Sequence, residues 1–197
     1  MSSDSPQRTQ RKIRTRTRRR HTKTESGEGA TPSDPARARE RVFQRAGKLL
    51  AAKQRSVAEL RERLLEGRGA TEAIVAEVIE RLRGYGYLDD ARFAHGYASL
   101  RVQQRPIGRQ RLERDLRMKQ IDKTTVDAAL DSVFEEKPES ELIDHAIEKR
   151  VRLRGRPKTR AEAKKLFDHL LRQGFVFELV SEKVLAVSKG DVDDTGQ

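Results

Sequence analysis

The chain has 197 residues, of which 38% are charged, 35% hydrophobic and 5% aromatic, and its formal net charge is +12. Without a cysteine it can form no disulfide and no thiolate metal site, and no apolar run approaches the roughly 20 residues that span a bilayer. The cationic excess suits a polyanionic partner, nucleic acid before an acidic protein surface, and the cytoplasm is the default compartment because no hydrophobic segment follows the basic N-terminus.

Residues 1–35 read as a disordered basic tail. Nine Lys or Arg and no acid lie between Arg8 and Lys23, with Ile13 the one aliphatic residue there. Such a stretch buries too little apolar surface to offset the entropy of ordering it. It serves either as a non-specific arm for a nucleic-acid backbone or as a solubilising extension.

From Pro35 the pattern becomes helical. Ala38, Val42, Ala46, Leu49 and Leu50 share one face of a helix over about 36–53. Ser56 caps a second helix carrying Val57, Leu60 and Leu64. Gly67 and Gly69 end it, and Thr71 starts a third with Ile74, Val75, Val78, Ile79 and Leu82. Gly84 and Gly86 close that helix, and Asp89 or Asp90 caps the fourth, about 90–103, with Phe93, Tyr97 and Leu100 expected inward. Pro106 falls near the start of helix five, which turns Leu112 and Leu116 to the core. Helix six, about 123–134, offers Val126, Leu130 and Val133. Pro138 marks the next boundary, before a seventh helix with Leu142, Ile143, Ala146 and Ile147. Arg154–Pro157 ends it. Thr159 or Arg160 opens the eighth, with Leu166, Phe167, Leu170 and Leu171, and Gly174-Phe175 leads into the ninth, with Leu179, Val180, Val184 and Val187.

A repeat is embedded in these helices. Leu60, Leu64, Ile74 and Val78 correspond to Leu112, Leu116, Val126 and Leu130, and again to Leu166, Leu170, Val180 and Val184. The internal spacings are the same in all three sets, which argues for tandem three-helix units rather than one bundle with flanking helices. The predicted fold is therefore all-α, an elongated tandem array of three three-helix repeats at 36–88, 89–136 and 137–189, with a disordered C-terminus at 190–197.

No catalytic constellation stands out, and the chain reads as a non-enzyme without a cofactor. His21, His95, His145 and His169 are scattered. Asp89 and Asp90 are more economically helix caps than a metal-binding pair. Gly108 is isolated, and no Gly-rich phosphate loop with Lys-Ser/Thr exists. What remains is surface. One basic cluster comprises Arg101, Arg105, Arg109, Arg111, Arg114, Arg117 and Lys119. A second runs through Lys149, Arg150, Arg152, Arg154, Arg156, Lys158, Arg160, Lys164 and Lys165. These long cationic side chains suit phosphates, which position a protein without reading sequence. The aromatics Tyr85, Tyr87, Phe93 and Tyr97 crowd one corner, either as a satellite core or as a patch that grips another protein.

The run Gly86-Tyr87-Leu88-Asp89-Asp90-Ala91-Arg92-Phe93-Ala94, followed by Tyr97 and Arg101, resembles the RecX regulatory family. Gly108-Arg109-Gln110-Arg111-Leu112, Leu116-Arg117-Met118-Lys119-Gln120-Ile121, Val126–Asp131 and Leu170–Phe175 continue the resemblance over about 38–188. Pro106-Ile107 depart from it, and the basic tail is outside it. The resemblance implies an all-α array that lodges in the groove of the RecA–single-stranded-DNA filament and damps its extension, strand exchange and coprotease activity. Expected partners are thus the RecA filament and single-stranded DNA, with double-stranded DNA left open, and the protein is expected to be a monomer. The other reading is a stand-alone nucleic-acid-binding protein working through its basic helical faces. Tyr85, Tyr87, Leu88, Asp89, Asp90, Phe93 and Tyr97 are expected to form the seam between the first two units. Arg92, the first cluster, and Arg152, Arg154, Arg156 and Lys158 are expected to meet the partner.

Overall fold

The computed structural model describes residues 34–189. The tail expected at 1–35 lies outside them up to residue 33, as does the expected C-terminal stretch 190–197. Among the described residues the chain is helical throughout, without a strand: α1 (Pro35–Ala52), α2 (Val57–Leu65), α3 (Glu72–Gly84), α4 (Asp90–Gln104), α5 (Arg109–Arg117), α6 (Lys123–Glu136), α7 (Glu139–Arg154), α8 (Arg160–Gln173) and α9 (Phe177–Lys189). Successive triplets pack as a tandem array.

Local chemistry explains most boundaries. Ser56, Thr71, Asp89, Asp122 and Thr159 each accept a hydrogen bond from the amide three residues on, at the start of α2, α3, α4, α6 and α8. Thr159 adds the reciprocal Glu162 contact that completes a capping box. At the end of α3, Gly86 adopts a φ of 71° while its amide reaches Arg83 O and that of Tyr87 reaches Leu82 O. This left-handed closure satisfies two otherwise orphaned carbonyls and suits glycine.

The hydrophobic repeat is the skeleton of the core. Leu60, Leu64, Leu112, Leu116, Leu166 and Leu170 are all buried, as are Val78, Val126, Leu130, Val180 and Val184. Ile74 is the exception: it is half-buried, and the adjacent Val75 takes the inward place. In α4 the expected inward face is corrected. Leu100 is 53% exposed, whereas Ala94, Ala98 and Val102 are buried with Phe93. The 93–97–100 spacing selects large residues, whereas the buried face of α4 is Phe93, Ala94, Ala98 and Val102. Pro106 sits just ahead of α5, whose N-cap is Gly108, and the intervening Ile107 is buried in the core.

The buried side chains fall into two clusters. One belongs to the first triplet and takes in Leu88. The other is continuous through the second and third, from Phe93 to Val184.

Candidate nucleic-acid interface

The two basic clusters differ in how much of their charge is already engaged. In the first, Arg101 pairs with Asp115 at 3.4 Å, Arg109 with Asp131 at 2.7 Å, Arg117 with Glu113 at 3.7 Å and Lys119 with Glu59 at 2.8 Å. Arg105 and Arg114 stay exposed without a carboxylate partner among the described residues. Lys119 is drawn in furthest. Its side chain is 16% exposed and its ammonium lies 5.7 Å and 5.5 Å from the Phe93 and Tyr97 ring centres, within cation–π range. The structure thus places Lys119 in the seam between the first two triplets, not on an open basic face.

The second cluster is engaged less by acids. Its one nearby acid, Glu162, is occupied by the backbone amides of Lys158 and Thr159, at 2.8 Å and 3.3 Å. Arg150, Arg152, Arg154 and Lys158 have no ion pair among the described residues. Arg150, Arg154, Arg156 and Lys165 line a cleft of about 210 Å³ between α7 and α8, together with Pro157, Leu166 and one acid, Glu162.

Arg150 and Arg154, one turn apart on α7, share that cleft, and their charges bear on each other. Burial pushes the Arg150 guanidinium below its ordinary pKa, and repulsion from Arg154 and Arg172 adds to it. Burial likewise lowers the His169 imidazole, followed by the charges of Arg150, Arg172 and Arg154. An arginine so shifted remains charged at neutral pH; burial is the larger cause, and an anion would ease the repulsive part that Arg154 and Arg172 add. His169 lies 3.0 Å from the Gln173 amide nitrogen. Arg111 joins from α5, donating from Nη1 to Arg172 O at 3.2 Å. Arg111 and Arg154, singled out by the sequence, are therefore brought toward Arg150, Arg172 and His169. His169 reads as a scattered histidine and Arg172 falls outside both basic runs of the sequence; the i, i+3 pair on α8 and the i, i+4 pair Arg150–Arg154 on α7 are the signal that links them.

The seam residues separate by depth. Leu88 and Phe93 are buried, but Tyr85 and Tyr87 are 55% and 66% exposed and touch edge-to-face. Tyr97 is half-buried and stacks on Phe93 at 6.1 Å. Asp89 caps α4 through the Arg92 amide at 2.9 Å, and Asp90 accepts from the Val57 amide at 2.9 Å. Arg92 itself donates back to the Gly86 carbonyl. Among the described residues no group of acids and histidines is arranged to hold a metal, and no helix is long and apolar enough to cross a membrane.

Comparison with known proteins places this arrangement. Residues 43–82 match the profile described as RecX, first three-helix domain, and residues 89–130 that of RecX, second three-helix domain. Regulatory protein RecX of Bacillus subtilis is 31% identical over 78% of the chain and 57% of its own length. That of Chlorobium phaeobacteroides is 30% identical over 68% of the chain and 85% of its own. The chain spans just over half the length of the Bacillus subtilis and Bacillus licheniformis relatives it matches. The crystal structure of RecX from Lactobacillus salivarius superposes with a TM-score of 0.69 at 19% identity, over 78% of this chain and 98% of that one. A second crystal structure of regulatory protein RecX gives 0.66 at 22%, over 75% and 71%. At those identities the superpositions speak for the fold.

Proposed function

Because the chain belongs to the RecX family of regulatory proteins, we propose that it is a non-catalytic regulator of homologous recombination and DNA repair. It binds the RecA–single-stranded-DNA filament and inhibits its extension, ATP hydrolysis, strand exchange and coprotease activity. A monomer working in the cytoplasm goes with this reading. Family membership supports the partner. The mode of contact rests on one observation: Arg150, Arg154 and Lys165 share the α7–α8 cleft with a single carboxylate, Glu162, which is already taken up by the Lys158 and Thr159 amides. A phosphate backbone there would relieve their mutual repulsion and release its own counterions.

The test is recombinase ATP hydrolysis on single-stranded DNA, with this protein at sub-stoichiometric and stoichiometric amounts. Inhibition is expected; unchanged hydrolysis at stoichiometric protein sinks the proposal. The triple variant Arg150→Gln/Arg154→Gln/Arg172→Gln should inhibit less. Its log–log salt slope on single-stranded DNA should fall by roughly 0.7 for each phosphate that it no longer neutralises. The same cluster favours a second reading, a nucleic-acid-binding protein acting alone. Salt-dependent DNA binding with untouched ATP hydrolysis would select it.

A further inference from the structure

A cavity of about 500 Å³ opens between the first triplet and the start of α4, away from the α7–α8 cleft. Phe43, Leu50, Leu82 and Phe93 give it apolar walls. Two cations, Arg55 and Arg92, also line it. Arg55 Nε is shielded from water and has no hydrogen-bond partner, an expensive state for a charged donor. Arg92 engages one of its five donors on the Gly86 carbonyl, leaving others for a ligand. The acid in the lining, Asp89, is held by the Arg92 amide as the cap of α4. The cavity thus combines the volume of a ligand site with apolar walls and a net positive charge.

We propose that this cavity docks a partner peptide presenting a bulky apolar side chain beside a carboxylate. The apolar group would displace water from the Phe43–Leu82–Phe93 wall. The carboxylate would form charge-assisted contacts with the two cations of the lining, Arg55 and Arg92. Charge complementarity selects such a peptide over a neutral apolar one, and the apolar walls select it over a bare polyanion. Docking of this kind does not depend on the recombinase reading.

The chain contains no tryptophan, so a tryptophan-bearing probe reports its own burial. The probe is the acetylated, amidated peptide Gly-Asp-Glu-Leu-Trp-Asp-Glu-Gly, titrated into the full chain and followed by indole emission. A blue shift saturating at micromolar protein is expected. Replacing the probe's acids by amides, or its Leu-Trp by Ala-Trp, should weaken binding at least tenfold. On the protein, Gly47→Leu is the blocking variant. Gly47 lines the cavity, and a Cβ there meets nothing within 4 Å, so the leucine grows into the open space. It also improves the propensity of α1, so thermal unfolding should not move downward. Loss of the blue shift in Gly47→Leu with an unchanged unfolding temperature supports the proposal; an undiminished shift overturns it. Displacement of the probe by an equal concentration of Gly-Asp-Glu-Ala-Ala-Asp-Glu-Gly, which keeps the acids and lacks both apolar residues, would overturn the proposal in favour of general polyanion affinity. A dimer that Gly47→Leu dissolves would overturn the proposal in favour of a second copy of the chain.

Discussion

The two seams between consecutive triplets are built from different parts of the chain. Between the first and second triplets the contacts are mainly made by side chains. Ser56 Oγ donates to Lys119 O at 2.8 Å, Asp90 takes the Val57 amide, Glu59 pairs with Lys119, and Gln120 reaches Glu62. Between the second and third, backbone meets backbone. Gly108 N donates to Gln173 O at 3.0 Å and Gln110 N to Gly174 O at 3.1 Å, while the intervening Arg109 amide goes to the Glu139 carboxylate at 3.0 Å. The unpaired amides at the start of α5 thereby satisfy carbonyls at the end of α8, and the two helix dipoles align head to tail. The apolar core runs through this seam and stops at the other. A joint of side chains can be re-formed rotamer by rotamer; a joint of backbone with a shared core separates only by exposing both.

The largest effect of a single substitution is expected at the backbone joint. A Cβ on Gly108 would stand 2.2 Å from Gly174 C and O and from Phe175 N, and one on Gly174 would stand 2.4 Å from Arg111, at a φ of 90°. Gly108→Ala must therefore push α5 off α8. We expect a loss of about 3 kcal/mol, or roughly 6–12 °C in Tm, by denaturant and thermal unfolding. Gly96→Ala is the matched control. It lies inside α4 with open space around it, and should leave stability equal or raise it by up to about 1 kcal/mol. Equal behaviour of the two variants would mean that the backbone joint does not hold.

At the side-chain joint a smaller effect is expected, confined to one end of the molecule. Ser56 is fully buried, caps α2 and bonds to Lys119 O. Ser56→Ala removes the cap and orphans that carbonyl, at about 2 kcal/mol. Hydrogen exchange should accelerate in α1–α3 before α5 and α8, since locally opened units follow the weaker contacts. Uniform acceleration along the chain would show that both seams open together.

How much of this was legible in the sequence follows from the same contrast. The repeat of leucines and valines names the core because helical period records burial directly, and Ser56, Asp89 and Thr159 cap where their residue types say they should. Gly108 looked isolated because its partner, Gly174, is far along the chain; close backbone approach leaves no periodic trace. Lys119 looked like one more cation in a basic run, and only its tertiary neighbours Glu59, Phe93 and Tyr97 explain its burial. Leu100 misled for the opposite reason: a large side chain at suitable spacing is exposed, while alanines fill the close contact with α6. The convergence of Arg150, Arg154 and Arg172 needed two helices and their crossing to be seen.

Acid should act on the two seams with opposite sign. Burial raises the Glu59 carboxyl, but the Lys119 hydrogen bond and charge, with the Ser56 contact, outweigh it and leave its pKa below the ordinary value of 4.5. Its folded form holds protons less tightly than the unfolded one. Its contribution is thus present above pH 4.5 and lost as pH falls through the lowered value. Glu139 is shifted the other way: burial raises it, and the Arg109 and Val176 amides only partly pull it back. There the folded state binds the proton more tightly. Stability from Glu139 therefore declines as pH rises from 4.5 through its raised value, and recovers on acidification. Amide exchange followed as the pH is lowered should show α2 loosening while the α5–α8 joint holds. Glu59→Gln should remove the pH dependence in α2, and loosening of α5 and α8 ahead of α2 would reverse the assignment.

The smallest expected effect concerns Tyr87, the most conspicuous residue of the family-like run. It stands beside Leu88, which is 4% exposed and belongs to the first core, whereas Tyr87 is 66% exposed and meets Tyr85 edge-to-face. Its amide, not its ring, does the structural work, by closing the end of α3 onto Leu82 O. Alanine keeps that amide. Tyr87→Ala should therefore change the unfolding free energy by less than about 0.5 kcal/mol. If equilibrium unfolding shows a loss of about 1–2 kcal/mol instead, comparable with Ser56→Ala, the ring is a clamp on the side-chain joint. If it does not, the exposed Tyr85–Tyr87 pair is available to a partner at no structural expense.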